Sequence, residues 1–474
     1  MKIWVPARNI LLLVLLAIGT ARAQTATTSN PGPLPAGEVV EAIPLGNEGT
    51  ESYAAYLAGT AQPGRPLPVL ILFDPAARGV LAVNAFREVA EAYGLLLVGS
   101  NASRNGPYER NFEIANRLFS EIFSKYPIDE NRVFLAGFSG GSRLAASIAV
   151  LTGQIAGVIG CGAGFDSSAG YLPGPGTGLL YAGVVGTRDM NFPEMHHTRE
   201  WLQKLEIENK LIVFEGGHHW PGPGELLRAM DWLMRAGQLQ ANFSLEPGRA
   251  DAALARALDA ARAYRDSGRL VNALMEYRDI RKWYGELLET DSLSGRIDAL
   301  QSSPAYRAEA EQLEQILEEE EAWTTRFREL AERHLGEGEG RGYNRWESAW
   351  GRFRKKFEGE EGVQVAAMRE RVEGFVFAFC IERANTYRAA GQYEQSLELS
   401  RLLTSGFPDR PYAWIRAAED HARLGQDEAV FGALAKAVTL GFSNPGALRS
   451  NPAFGPYVNR DAWHSLFAGV DEVP

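Results

Sequence analysis

The sequence predicts an α/β domain built on a mainly parallel sheet, followed by an all-α half, and three observations carry that reading. From Val40 to about Ala241, short apolar runs alternate with amphipathic segments. Uninterrupted apolar strands separated by helices imply a sheet covered on both faces. One of those runs turns through Gly137-Phe138-Ser139-Gly140-Gly141 directly into a helix-forming segment. After Phe243 the strand signals stop and long helical periods begin. At 474 residues the chain exceeds one ordinary core, so several domains are expected. A net charge of −11 argues against nucleic acid or an anionic membrane surface as partner.

Taken in order, residues 1–23 read as a signal peptide. Lys2 and Arg8 give a positive start, Ile10–Ile18 is an apolar run of nine, and Ala21-Arg22-Ala23 supplies the cleavage pattern. A bilayer span needs about 20 apolar residues, so the run is short for one. The expectation is an exported protein, periplasmic or extracellular, with no transmembrane domain in the mature chain. An uncleaved membrane anchor is the alternative. Residues 24–39 are Thr/Pro/Gly-rich and read as a flexible tether.

Residues 40–243 carry the α/β pattern. Its strand candidates are Val69–Phe73, Leu95–Gly99, Val133–Ala136, Ala156–Gly160, Leu179–Val185 and Leu211–Phe214. Helical patterns cover Asn111–Lys125, Arg143–Leu151, Thr198–Ile207 and Gly224–Arg235. Cys161 and Cys380 are expected to be buried free thiols, because they fall in different halves.

Residues 247–474 carry a degenerate repeat. Gly391 and Gly425 stand 34 residues apart (425 − 391), with Ala384 matching Ala418 in the same frame. Gly268 recurs with Ala261, Tyr264 and Ala273 around it. These units, 259–283, 377–410 and 411–444, resemble tetratricopeptide repeats. That resemblance implies paired helices that hold a protein or peptide partner. Leu287–Gly362 is helical without the signature, and the acidic run Glu318–Glu321 reads as a solvated helix face.

The G-x-S-x-G spacing has a mechanical reason. A serine at the apex of a strained strand-to-helix turn lifts its hydroxyl clear of the sheet, and flanking glycines let strand and helix approach. The N–H that follows the serine is then aimed at a developing oxyanion, which makes Gly140 a donor candidate. Two further loops follow apolar strands: Gly186-Thr187-Arg188-Asp189-Met190-Asn191 and Gly216-Gly217-His218-His219-Trp220-Pro221. A fourth, Phe73-Asp74-Pro75-Ala76-Ala77-Arg78-Gly79, follows an early strand.

Together these four places make residues 40–240 resemble the α/β-hydrolase family, and within it small secreted esterases of the polyhydroxybutyrate-depolymerase, feruloyl-esterase and carboxylesterase type. The resemblance implies Ser139 as nucleophile, Asp189 as acid, His218 as base and Ala76 as second oxyanion donor. Pro75 lacks an N–H and is passed over. Asp166 and His219 are the alternatives for acid and base. Trp220 is either a wall of the substrate pocket or a core aromatic, and Ser142 a packing residue. The order Ser139, Asp189, His218 is that of the fold. No cofactor is implied, and His196-His197 and His218-His219 lack metal-ligand spacing.

The resulting expectation is an exported carboxylic ester hydrolase working through an acyl-enzyme, with an ester as its substrate. Only 79 residues (218 − 139) separate elbow and histidine. No lid-sized insertion fits there, so an open site suited to soluble esters is expected. The loop Gly164–Gly178 shapes the pocket but its Gly/Pro content hides its conformation. A peptidase on the same scaffold ranks lower. The alternative of another class is a non-catalytic scaffold whose hydrolase half is degenerate and whose helices bind a partner.

Overall fold

The computed structural model describes residues 34–46, 51–288, 290–337, 341–359 and 362–468. The signal segment 1–23 and most of the tether lie outside the described residues. The end of the tether does not: Ala36 already bridges Leu57, and Gly37 N–H donates to Leu57 O at 2.8 Å. The chain forms two compact units, Met1–Glu314 and Gln315–Pro474. The boundary expected between 243 and 247 therefore falls inside the first unit.

An eight-stranded sheet organises the first unit. Its strands are β1 (Val39–Pro44), β2 (Ser52–Leu57), β3 (Leu67–Phe73), β4 (Leu96–Ser100), β5 (Ile128–Phe138), β6 (Gly157–Cys161), β7 (Tyr181–Gly186) and β8 (Asn209–Phe214). They lie in the order β1-β2-β4-β3-β5-β6-β7-β8. β1 and β2 pair antiparallel, β2 runs antiparallel to β4, and every later pairing is parallel. This is the α/β-hydrolase arrangement. The parallel strands are buried along nearly their whole length because helices cover both faces. β1 and β2 escape the sequence reading for the opposite reason: β1 is half-exposed and neither is a long apolar run.

The helices of this unit are α1 (Gly79–Ala85), α2 (Arg87–Tyr93), α3 (Tyr108–Lys125), α4 (Gly140–Thr152), α5 (Phe192–Lys204) and α6 (Pro223–Leu239). β3 lies between β4 and β5, so the chain reverses its direction of travel across the sheet there. Ligand crevices of open α/β sheets form at such a point, beyond the carboxyl ends of the strands.

The sheet core continues into the next two helices, α7 (Arg249–Asp266) and α8 (Leu270–Tyr284). One apolar cluster runs from Leu70 and Phe134 through Trp232 to Trp283 and Ile297. Lys210 of β8 donates to Glu276 Oε1 at 2.8 Å, Arg228 of α6 to Glu276 Oε2 at 2.9 Å, and Tyr264 OH to Val213 O at 2.8 Å. Helices α9 (Thr290–Ser302) and the start of α10 (Pro304–Glu337) complete the unit.

The second unit is helical: the rest of α10, then α11 (Arg341–Lys356), α12 (Val363–Ala389), α13 (Tyr393–Gly406), α14 (Pro411–Arg423), α15 (Asp427–Thr439), α16 (Pro445–Arg449) and α17 (Asp461–Leu466). Helix pairs α7/α8, α12/α13 and α14/α15 each turn at a glycine with positive φ, Gly268, Gly391 and Gly425. Ala261, Ala273, Ala384, Ala418 and Ala437 are buried. The acidic run corrects one expectation. Glu320 is fully buried and doubly bonded to Arg371, so this position of the run is core rather than solvated face. Both cysteines are buried and free; burial pushes the Cys380 thiol up to about 12 and the Cys161 thiol higher still. No helix among the described residues is long and apolar enough to cross a membrane.

Candidate active site

Ser139 joins β5 to α4 with φ 53° and ψ −121°, a conformation that L-residues other than glycine adopt rarely. The local sequence makes this turn feasible. A Cβ on Gly137 would stand 2.1 Å from Gly141 O, and one on Gly141 would stand 2.1 Å from Phe73 O. Only hydrogen fits where β5, β3 and α4 converge. The Ser139 N–H donates to Cys161 O at 2.8 Å, tying the apex to the end of β6.

Asp189 follows β7 and His218 follows β8. His218 Nε2 lies 3.0 Å from Ser139 Oγ, and His218 Nδ1 lies 2.8 Å from Asp189 Oδ1. Asp189 is 1% exposed. Its Oδ1 also accepts the Asn191 N–H at 2.9 Å, while the Asn191 amide donates to Gly162 O at 2.7 Å. A carboxylate only accepts, so it requires the proton of the neutral imidazole on Nδ1. Nε2 is then the acceptor facing Ser139. Phe138 packs its ring 4.6 Å from the His218 ring and fixes the other side.

The two alternatives lie apart from this chain of contacts. His219 is exposed, with Nδ1 2.8 Å from Trp220 O. Asp166 accepts from Ser168 N–H at 2.8 Å. His196 is buried against Phe192 while His197 is exposed, so these neighbours face different surroundings. Ser142 is buried and donates to Ala163 O at 2.6 Å, which braces the loop beside Asp189.

Ala76 is corrected by the structure. Its N–H donates to Asp74 Oδ1 at 2.8 Å, so the donor expected at the oxyanion is already engaged. Ala77 N–H likewise turns back to Asp74 O at 3.2 Å. The loop is wound around the Asp74 side chain, which also holds Arg78 through contacts of 2.8 and 2.9 Å. Trp220 completes this lock. Its indole N–H donates to Asp74 Oδ2 at 2.9 Å, and its ring packs on Phe86 and Phe138. Trp220 is thus a brace between the histidine loop and the Asp74 loop, nearer to the core-aromatic reading than to a pocket wall. Burial alone raises the Asp74 carboxyl, yet the hydrogen bonds from Arg78, Trp220 and Ala76 hold it below the ordinary value.

One further cluster carries no signal in the sequence. Arg143, one turn beyond Ser139, forms a two-pronged ion pair with Glu194 of α5, at 2.5 and 2.7 Å. Arg143 also donates to Phe165 O at 3.0 Å, and Glu194 accepts Gly164 N–H at 2.8 Å. This pins the start of the Gly-rich loop. Beside it lies an open cavity of about 540 Å³ lined by Arg143, Phe165, Asp166, Leu172, Thr198 and Trp201.

No family model and no curated protein matches the chain. Among solved structures it is similar to the fluorophosphonate-binding serine hydrolase F of Staphylococcus aureus, at 13% identity and TM-score 0.31, over 39% of this chain and 92% of that one. An esterase of Pyrobaculum calidifontis gives 12% identity and TM-score 0.32, over 50% and 88%. The feruloyl esterase module of Clostridium thermocellum gives 16% and 0.31, over 42% and 88%. At these scores the likenesses carry no argument for function, and the fold stands on the strand order described above.

Proposed function

We propose that the chain is a serine hydrolase of carboxylic esters, with Ser139 as nucleophile, His218 as general base and acid, and Asp189 as the orienting carboxylate. The observation that carries the reading is the continuous contact Ser139 Oγ–His218–Asp189, at 3.0 and 2.8 Å, on a strained elbow. A serine hydroxyl is a weak nucleophile near neutral pH, and an imidazole at hydrogen-bond distance removes its proton as attack proceeds.

In the reaction, Ser139 Oγ adds to the ester carbonyl while its proton passes to His218 Nε2. Asp189 stabilises the imidazolium through Nδ1–H. The oxyanion forms at the N-terminus of α4, where the Gly140 N–H and the helix dipole favour negative charge. Collapse expels the alcohol, which takes the proton back from Nε2, and leaves Ser139 acylated. Water then attacks with His218 again as base, and the acid departs. With the leader reading, this is an exported enzyme, and the expected outcome that checks that part is an intact mass beginning at Gln24.

The test is a fluorophosphonate probe on the wild type and on Ser139→Ala, beside p-nitrophenyl esters of rising chain length. Labelling and turnover are expected in the wild type and lost in the variant by about 1000-fold or more. Short soluble esters are the expected substrates; activity rising steeply on emulsified long chains would sink the open-site reading. A folded wild type that neither labels nor turns over ester returns the chain to the scaffold alternative.

A further inference from the structure

With its N–H engaged by Asp74, Ala76 does not supply the second donor expected beside Gly140 N–H, for a charge that hydrolases of this chemistry stabilise with two. We propose that the Asn105 side-chain carboxamide is the second oxyanion donor. The inference rests on the serine-hydrolase reading above.

Asn105 lies directly on the residue that follows the nucleophile. A Cβ on Gly140 would stand 1.8 Å from Asn105 Oδ1, 2.8 Å from its Cγ and 3.3 Å from its Nδ2. The glycine directly after the nucleophile, Gly140, therefore leaves room for this carboxamide. In the structure the oxygen faces Gly140. A negative charge developing beside the Gly140 N–H repels that oxygen and attracts the NH2 end. The two ends exchange by a half-turn about χ2, a soft torsion for an amide. The side chain is exposed.

The backbone beneath it is held firmly. Asn105 N–H donates to Pro75 O at 2.8 Å, and Arg104 bridges Ala76. Asn111, itself buried, accepts Arg104 N–H at 3.1 Å and donates to Arg104 O at 2.9 Å and Pro107 O at 3.3 Å. The Asp74 loop thus anchors Asn105 in place of offering its own amide. With the backbone in place, the half-turn about χ2 is the one adjustment the donor has to make.

The experiment compares wild type, Asn105→Ala and Asn105→Asp on a short p-nitrophenyl ester, with melting temperatures alongside. Asn105→Ala is expected to lose about 100-fold or more in kcat, with KM shifted less than about threefold. Asn105→Asp distinguishes a donor from a residue that only shapes the loop. At pH 7 its carboxylate faces the oxyanion, so it falls below the alanine variant. Relative to wild type at each pH, it recovers toward the carboxyl's ordinary value near about 3.9, where the protonated acid donates. A flat ratio across pH overturns the proposal. So does an alanine variant within about threefold of wild-type kcat, or one altered only in KM. If the wild type labels and turns over while Asn105→Ala does so equally, Asn105 alone is refuted. An inert wild type refutes the serine-hydrolase reading beneath it.

Discussion

Gly162 shows how narrowly single residues determine this site. It has φ 63°, and a Cβ there would stand 2.8 Å from Asp189 Oδ2 and 3.3 Å from His218 Cε1. Alanine must either strain the backbone, at about 1–2 kcal/mol in the left-handed region, or push the carboxylate away from the imidazole. A misplacement of about 1 Å costs on the order of 100-fold in rate. Gly162→Ala is therefore expected to lose about that factor in kcat while melting within a few degrees of wild type, as about 1–2 kcal/mol implies. Steady-state kinetics and a thermal melt decide it: an unchanged kcat means that the loop yields and Asp189 is not so tightly seated. Sequence patterns cannot reveal such a position, since Gly162 is one of 50 glycines and only its neighbours distinguish it.

Among elements, the loop after β3 and the loop after β8 are joined by one carboxylate, Asp74, through Arg78 and Trp220. Its depressed pKa fixes the sign of a pH effect. The folded value lies below the unfolded one, near about 3.9. The stabilisation is then complete above the unfolded value and lost as pH falls through the folded value. Asp74→Asn should lower the melting temperature at pH 7 and flatten its decline between about pH 5 and 3. Parallel decline in both proteins would show that other carboxylates govern acid unfolding. The same scale separates what the sequence reveals from what it hides. β3 to β8 and the elbow are legible because a buried parallel strand is a continuous apolar run and the turn needs local glycines. Helices α1 and α2, at seven residues each, are too short to establish a period. The partners Asp74 and Trp220 stand 146 residues apart and Arg143 and Glu194 stand 51 apart, distances at which no local pattern exists. Ala76 fails as a donor for the same reason. Its place in the chain matches the expectation, but the direction of its N–H depends on a side chain two residues earlier.

For the whole molecule, the decisive fact is where the sheet-bearing unit ends. A change of period after Phe243 suggests a new domain, yet the α7/α8 pair shares the sheet's core, and the first unit runs on to Glu314. The lock is ionic as well as apolar: Lys210 and Glu276 have side chains 5% and 4% exposed. Burial opposes both charges, but each holds the other ionised. The Glu276 carboxyl lies below and the Lys210 ammonium above its ordinary value, with Arg228 assisting Glu276 and Asp279 assisting Lys210. Removing one partner leaves a buried charge short of compensation, at about 3–5 kcal/mol, whereas replacing both by apolar side chains is far milder. Glu276→Leu is thus expected to lower the temperature at which ester hydrolysis is lost by roughly 5–15 °C, and adding Lys210→Met should recover part of that. The readout is chosen because it follows the sheet and its site, not the helices. If α7 and α8 were a separate module, their loss of order would leave the inactivation temperature where it was. A shift that the second substitution partly reverses is what one continuous core requires.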